Sequence, residues 1–156
     1  MKNMLAFLFA ASLALVFCSC GREPDTLVKD GYDEKEMDAA IARARNEVDA
    51  FIVILKKGDG VNFAVKVPIN DKGQVEHFWL SDIAYSDGAF KGKIGNEPGM
   101  VTNVKFGQEW TVKKQDVSDW MYMKNNKIYG NYTLRPLLKT MKKEEADKWR
   151  AMLANP

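Results

Sequence analysis

The sequence holds few of the residues on which most enzymatic chemistry depends. It has 1 histidine and 2 cysteines in 156 residues, and both cysteines fall within the first twenty positions. A single histidine excludes a multi-histidine zinc site and weakens any Ser-His-Asp scheme. The stretch Gly95 to Gly99 lacks the Lys-Ser/Thr ending of a phosphate loop. We therefore predict neither a metal site nor a cofactor.

Long basic runs are absent as well. The formal net charge is +2, and no more than two basic residues stand side by side. Electrostatic capture of nucleic acid needs a basic stripe that neutralises several phosphates. The hydrophobic fraction of 46% and the aromatic fraction of 11% are sufficient for a packed core. These values predict one globular domain that does not bind nucleic acid.

The N-terminus has the pattern of a bacterial export signal. A short positive start precedes an apolar run over residues 4–17, which has the length of a signal-peptide core and is short for a membrane span. Ser19 and Cys20 resemble the lipobox of bacterial lipoproteins, in which the cysteine receives a diacylglyceryl group and becomes the new N-terminus. Phe17 and Cys18 depart from that pattern. The alternative is an ordinary cleaved signal with two incidental cysteines.

These features divide the chain into three parts. We predict a signal peptide over residues 1–19, a lipid-anchored tether over residues 20–31 and a single globular domain over residues 32–156. Acyl chains on Cys20 would hold the domain at a membrane by burying methylene groups. The mature domain would then lack cysteine, which excludes a disulfide framework and a catalytic thiol. We expect an exported protein, lipid-anchored in the bacterial envelope at the outer membrane, on its periplasmic or surface face.

Hydrophobic periodicity predicts a long helix followed by a sheet. Apolar residues recur every three or four positions between an N-cap at Asp33 and a stop at Gly58. Alternation with a period of two begins at Val61. The predicted strands are Val61–Ile69, Val75–Tyr85, Ala89–Ile94, Glu109–Lys113, Asp116–Met123 and Lys127–Gly130.

The same reading predicts how the elements are arranged. The second strand carries apolar residues on both faces, which predicts a central strand covered on both sides. Pro68, in the first strand, predicts that this end of the strand lies at an edge or a bulge. Gly95 to Gly107 is the longest predicted loop. One helix is expected to start between Asn131 and Thr133. The final helix is expected to bury Ala146, Trp149, Met152 and Leu153.

Together these elements predict an α+β fold. It consists of a long N-terminal helix, a five- to six-stranded, mainly antiparallel sheet and two C-terminal helices. The short, strongly punctuated strands predict a strongly curved sheet that could close into an SH3-like barrel.

Several short motifs resemble the YegJ-like bacterial family. They are Glu76–Leu80 (EHFWL), Gly95–Pro98 (GNEP), Gly107–Gln108, Asp119–Tyr122 (DWMY) and Gly130–Arg135 (GNYTLR). The resemblance covers Tyr32 to Leu153. The family is a domain of unknown function, so the resemblance implies no activity, substrate or catalytic residue. It fits a small, secreted or lipid-anchored bacterial protein.

Five residues are candidates for a binding site: His77, Trp79, Asp119, Tyr132 and Arg135. His77 could be one ligand of a mixed site or a hydrogen-bonded structural histidine. Trp79 could stack on a sugar, a peptide or a base, and core packing is the alternative. Asp119 could act as a general base or as a cap. Tyr132 and Arg135 are spaced to share a helix face, where Arg135 could bind an anion or form a salt bridge to Asp119.

Two kinds of function follow from these observations. The first is a non-enzymatic binding or interaction domain whose partner is an envelope protein or peptide. The second is a hydrolase or lyase that uses Glu76, Asp82 and Asp119, which requires at least two of them in one pocket. An immunity-type inhibitor of a toxin is a form of the first that the sequence does not distinguish.

Overall fold

The computed structural model describes residues 31–155. The predicted signal peptide, Cys20 and almost all of the predicted tether lie outside the described residues. Within the described range, no helix combines the length and the apolar character needed to cross a membrane. The predictions for the globular domain can be compared with the structure element by element.

The first helix, α1 (Glu34–Lys57), confirms the prediction for this segment. The Asp33 carboxylate accepts the backbone N–H of Glu36 at 3.0 Å and caps the helix start. Gly58 ends the helix with a φ of 64°, a left-handed conformation that suits glycine. One stripe of α1 is buried against the sheet, and its members are Ala44, Val48, Phe51 and Ile52.

The sheet has six strands in the order β4-β3-β2-β1-β5-β6, and every neighbouring pair is antiparallel. They are β1 (Val61–Asp71), β2 (Gln74–Ser86), β3 (Ala89–Ile94), β4 (Glu109–Lys113), β5 (Asp119–Lys124) and β6 (Lys127–Gly130). The α+β prediction is confirmed. The suggested barrel is wrong, because β4 and β6 are the two edges of an open sheet.

The face of the sheet that packs on α1, here called the core face, holds the main hydrophobic core. Phe51 of α1 stacks on Trp120 of β5 with 5.0 Å between ring centroids. Phe78 and Leu80 of β2 are fully buried in the same cluster. This face carries most of the apolar surface that folding removes from water.

The opposite face, here called the second face, is covered over β5 and β6. The short helix α2 (Leu134–Leu137) and the helix α3 (Lys143–Met152) belong to a smaller cluster there. Its buried members are Ile128, Leu138, Ala146 and Leu153, with Met121, Met123, Leu134, Met141 and Trp149 packed around them. The prediction that Met152 is buried is wrong, since Met152 is 40% exposed at the end of α3.

The second face is open over β2, and this corrects the prediction of a strand covered on both sides. Val75 is 47% exposed, His77 is exposed and Trp79 is only partly buried. Apolar residues on both faces of a strand normally indicate two packed layers. Here the C-terminal cluster gathers around β5 and β6 and leaves the apolar residues of β2 at the surface.

Pro68 lies in β1, which is a central strand. The pairing of β1 with β5 ends at Lys66 and Asp119, so the edge of β1 beyond Lys66 faces no neighbouring strand among the described residues. The local edge explains why a residue that cannot donate a ladder hydrogen bond is tolerated here. The predicted edge is therefore present, within a central strand.

Candidate functional site

The five candidate residues do not share one cleft. His77 and Trp79 lie on the second face of β2. Tyr132 and Arg135 line a pocket that also involves α1. Asp119 is fully buried at the start of β5 and forms hydrogen bonds with the segment that carries Tyr132.

Asp119 is a cap for the turn that follows β6. Its Oδ1 accepts the backbone N–H groups of Trp120 at 2.8 Å and Tyr132 at 3.2 Å. Its Oδ2 accepts the N–H and the hydroxyl of Thr133 at 2.8 and 2.7 Å. Burial raises the pKa of Asp119, and these donors partly oppose that rise. The suggested salt bridge to Arg135 is wrong, because the Arg135 Nη2 donates to the carbonyl of Ala154 at 3.1 Å.

Glu76 has an equally structural role that the sequence did not reveal. It is only 2% exposed, on the core face of β2. Its carboxylate accepts the backbone N–H groups of Gly99, Met100 and Val101 at 2.8 to 3.2 Å. Glu76 therefore fixes the long loop between β3 and β4, in the way that a buried carboxylate requires.

The positions of the three candidate carboxylates argue against a carboxylate-based hydrolase. Glu76 lies on the core face, whereas Asp119 pairs with Lys66 on the second face. Asp82 is exposed and forms an ion pair with Lys93 at 3.1 Å. Two of these carboxylates would have to converge for general acid–base chemistry. Among residues 31–155, no cluster of His, Cys, Asp and Glu could hold a metal ion.

Tyr132 and Arg135 belong to a group of four residues, here called the Tyr132 cluster, which also contains Arg43 and Glu47 of α1. The Tyr132 hydroxyl donates to Glu47, and the Arg43 Nε donates to the same carboxylate at 2.9 Å. The Arg43 and Arg135 guanidinium groups lie 4.5 and 5.9 Å from the centre of the Tyr132 ring. The cluster borders a pocket of about 250 Å³.

The charges of the Tyr132 cluster largely satisfy one another. Burial, together with the hydrogen bond to Glu47, raises the pKa of Tyr132 to about 12. Burial alone would raise the pKa of Glu47, but the hydrogen bonds from Tyr132 and Arg43 lower it. The Arg135 Nε is buried and has no hydrogen-bond partner within the described range. The cluster therefore links α1 to the turn after β6, and Arg135 Nε is the buried polar atom that it leaves unpaired among the described residues.

The second face over β1 and β2 carries a different group, here called the Trp79 surface, which consists of Lys66, His77, Trp79 and Ser118. Lys66 lies directly opposite Trp79 in the sheet, and its Nζ is 5.1 Å from the centre of the indole ring. The Nζ donates to the Thr133 Oγ1 at 2.9 Å. Burial lowers the pKa of Lys66, and the nearby Asp119 opposes that shift. No pattern in the sequence marks Lys66, because the alternation of β1 only places it on the face opposite the core.

His77 is hydrogen-bonded, as one of its two predicted roles requires. Its Nδ1 lies 2.9 Å from the Ser118 Oγ. The Ser118 hydroxyl donates its proton to the carbonyl of Lys66 at 3.1 Å, so the His77 Nδ1 must be the donor to Ser118. Burial lowers the pKa of His77 to about 4, and the positive charges of Lys66 and Arg45 add to that effect. The imidazole is therefore neutral at pH 7.

A groove of about 660 Å³ begins beside Trp79. Its apolar lining includes Phe63, Trp79, Ile83, Phe106 and Met121. The groove lies where β1 shifts register against β5 and β2 shifts register against β3, with φ values of 54° at Asn62 and 51° at Asp82. Bulges of this kind bend strands and interrupt the ladder, which opens space between them. The volume lies within the range of small-molecule pockets, and the lining is mainly apolar.

Comparisons with known proteins place these residues in a family context. Residues 34–154 match the family described as "Uncharacterized protein conserved in bacteria (DUF2314)". The chain is 58% identical to the "Uncharacterized protein YegJ" of Escherichia coli strain K12 over 129 residues, which cover 83% of this chain and 84% of that protein.

A second relative is longer than this chain. The two are 41% identical over 86 residues, and the matched segment covers 52% of this chain. That relative is a protein of Neisseria meningitidis serogroup B named as a putative ankyrin repeat protein, and the match covers 34% of it. No solved structure matches this chain.

Proposed function

Since the chain belongs to the uncharacterised bacterial family DUF2314, we propose that it is a binding domain of the bacterial envelope. In this proposal the lipid on Cys20 tethers the domain to the membrane. The Trp79 surface and its groove capture a segment of an envelope protein. The protein acts by binding and catalyses no reaction.

The observation that carries the proposal is the open aromatic groove beside Trp79. Trp79 is partly buried and Phe106 is 41% exposed, and both line the groove. Aromatic side chains supply large contact area at low cost in conformational entropy and are enriched in binding hot spots. The Tyr132 cluster offers less, because its polar groups are largely paired with one another.

The longer relative adds support of a different kind. A segment similar to this chain occurs within a protein that is named for ankyrin repeats. Ankyrin arrays present extended concave binding surfaces. A binding role for the shared segment agrees with that setting.

Capture from the envelope tests this function. The full chain, expressed in a bacterial host and extracted in mild detergent, would be crosslinked and its partners identified by mass spectrometry. We expect Trp79→Ala to lower the yield of a specific partner more than tenfold, as loss of a hot-spot aromatic residue does. The matched control is Val53→Ala, at an apolar position of α1 that is 50% exposed.

Three results would contradict the proposal. They are the absence of a partner above background, equal yields with Trp79→Ala and Val53→Ala, and loss of capture with Arg135→Ala alone. The last would assign binding to the pocket at the Tyr132 cluster. Circular dichroism of each variant would establish that it is folded.

The lipid anchor has a separate test. Mass spectrometry of the mature N-terminus should find acyl chains on Cys20, and Cys20→Ala should release the protein from the membrane fraction. An unmodified N-terminus at another position would mean an ordinary cleaved signal and would remove the anchor from the proposal.

A further inference from the structure

Lys66 and Arg45 bring positive charge to the Trp79 surface, where His77 is neutral at pH 7. Lys66 contributes an ammonium group from β1, and His77 contributes an imidazole from β2. Arg45 of α1 reaches the same region, since its Nε donates to the carbonyl of Val117, the residue before Ser118. Arg45 is also close enough to help lower the pKa of His77. Three basic side chains thus approach Ser118 from three elements.

Among the described residues, the acid of β5 near these groups is buried, and the exposed acid Asp82 at the groove is paired with Lys93. The charged groups that shift the pKa of His77 are both cations. The nearby acid of β5 is Asp119, which is fully buried and accepts four hydrogen bonds from Trp120, Tyr132 and Thr133. Other lysines of the second face have partners, since Lys91 pairs with Glu109 and Lys93 with Asp82 at 3.1 Å each. The two cations that act on His77, Lys66 and Arg45, therefore form no ion pair with an exposed carboxylate among the described residues, and we take them as the anion-binding groups.

The cations also stand beside an apolar site. Trp79 carries the Lys66 ammonium over its ring and lines the groove with the same side chain. A ligand that places an acidic group at Lys66 and His77 would bring its neighbouring residues onto Trp79 and into the groove. A small free anion would contact only the basic side chains and would leave the apolar groove empty.

We propose that the Trp79 surface recognises an acidic peptide segment, in which a carboxylate lies between Lys66, His77 and Arg45 and adjacent apolar side chains occupy the groove. This inference rests on the proposed binding function and names the chemistry of its partner. Lys66 is held for this purpose by Thr133, whose hydroxyl accepts from Nζ and donates to Asp119. Charge complementarity of this kind supplies specificity as well as affinity.

Because of the tautomer of His77, binding of an acidic peptide should be coupled to protonation of the imidazole ring. His77 Nδ1 already donates to Ser118, so in the neutral ring Nε2 is an acceptor and repels a carboxylate oxygen. A bound carboxylate favours the protonated imidazole, whose Nε2 becomes a donor. Binding should therefore take up protons and strengthen as pH falls from 7 to about 5, while the peptide carboxylate stays ionised.

The sole histidine of the chain is a convenient probe. The full chain, untagged and labelled with ¹³C at the histidine Cε1, would be titrated by NMR in detergent micelles. The probes are acetyl-Phe-Asp-Phe-amide, its uncharged match acetyl-Phe-Asn-Phe-amide, and inorganic phosphate. We expect the acidic peptide to raise the pKa of His77 by about one unit or more, as a nearby opposite charge does. The uncharged Asn peptide should leave the pKa of His77 near its value in the free protein.

Variants connect that shift to the proposed contacts. Lys66→Met, which keeps a stem over Trp79, should weaken acidic-peptide binding about tenfold or more, the size expected for a charged hydrogen bond. Lys91→Gln removes a lysine of the second face that is paired with Glu109, and it should change nothing. If Lys66→Met does not fold, Arg45→Gln at an exposed position should still weaken the acidic peptide and spare the Asn peptide.

The possible results separate this inference from the proposed function. Equal binding of the acidic and Asn peptides would overturn it. Phosphate binding as strong as that of the acidic peptide, with no effect of Trp79→Ala, would overturn it in favour of a small-anion site. If neither peptide binds while envelope capture still depends on Trp79, only this inference fails. If capture is independent of Trp79 as well, the proposed function fails with it.

Discussion

The Tyr132 cluster and the Trp79 surface both combine aromatic rings with cations, yet they differ in how completely their charges are paired. In the Tyr132 cluster, Glu47 accepts from both Tyr132 and Arg43. In the Trp79 surface, the acid that acts on Lys66 is Asp119, which is fully buried and accepts backbone N–H groups. A paired cluster stabilises the fold, whereas an unpaired one is available for a ligand. The contrast predicts that mutations in the two regions separate stability from binding.

The largest effect is expected at Asp119, which supports both regions. Asp119→Ala would leave the buried N–H groups of Trp120, Tyr132 and Thr133 without acceptors and would release the hydroxyl that holds Lys66. We expect a loss of about 3 to 5 kcal/mol in the free energy of unfolding, the cost of breaking a buried polar network. Urea denaturation measures it.

The control for that variant is Asp82→Ala, which removes an exposed, ion-paired carboxylate. Exposed pairs contribute little, so its unfolding midpoint should match that of the unmodified protein. If Asp119→Ala is equally stable, the turn after β6 is held by packing and the capping role is wrong.

Glu76→Ala should have the next largest effect. It removes the acceptor for the backbone N–H groups of Gly99, Met100 and Val101 in the loop between β3 and β4. We expect a loss of about 2 to 3 kcal/mol in the free energy of unfolding, because these donors are partly or fully buried. Hydrogen exchange should accelerate at residues 99–101. Unchanged exchange there would mean that other contacts fix the loop.

These two carboxylates also explain what the sequence could and could not predict. The ends of α1 and the turn between β5 and β6 are local, since Asp33 caps its own helix and Asn125 and Asn126 have φ values of 51° and 59°, as a tight hairpin requires. Glu76 and Asp119 act on backbone groups up to 25 and 14 residues away. Sequence spacing does not encode such contacts.

The same reasoning applies to the motifs that resemble the family. Trp79 donates its backbone N–H to the Asn96 side chain at 3.0 Å, which joins the EHFWL and GNEP motifs. Asp119 joins the DWMY and GNYTLR motifs through Thr133. Gly130 has a φ of 73°, and a Cβ there would lie 2.2 Å from the Trp120 carbonyl oxygen, so glycine is required. The motifs thus describe the framework that positions the two regions.

The exposure of Trp79 could not be predicted from the sequence either. The alternation of Trp79 with Phe78 and Leu80 is the same whether one face or both faces of the sheet are covered. Only the position of the C-terminal cluster over β5 and β6 leaves Trp79 at the surface. Lys66 was missed for the same reason, because its significance depends on its neighbours across the sheet.

A smaller effect on stability is expected at Tyr132. Tyr132→Phe keeps the ring between Arg43 and Arg135 and removes only the hydroxyl that donates to Glu47. We expect a loss of about 1 kcal/mol in the free energy of unfolding, since the carboxylate also accepts from Arg43. Envelope capture should be unchanged. A variant that folds normally and loses capture would reverse the roles of the two regions.

The smallest effect is expected from the pH dependence of His77. Its folded pKa of about 4 lies below the ordinary 6.5, so protonation favours the unfolded chain. The destabilisation should begin as pH falls below about 6.5 and be complete below about 4. Because His77 is enclosed on one side and still open to solvent on the other, solvent screening limits the effect to about 1 kcal/mol or less.

Carboxylates titrate in the same range, so the measurement must be a difference. His77→Gln removes the imidazole, and urea denaturation of both proteins from pH 7 to 4 isolates its contribution. We expect the unmodified protein to lose more stability than the variant over that range. Parallel curves would mean that neither burial nor the positive charges of Lys66 and Arg45 lower the pKa of His77 in the folded protein. The proton-coupled binding inferred for the Trp79 surface would then lose its starting point.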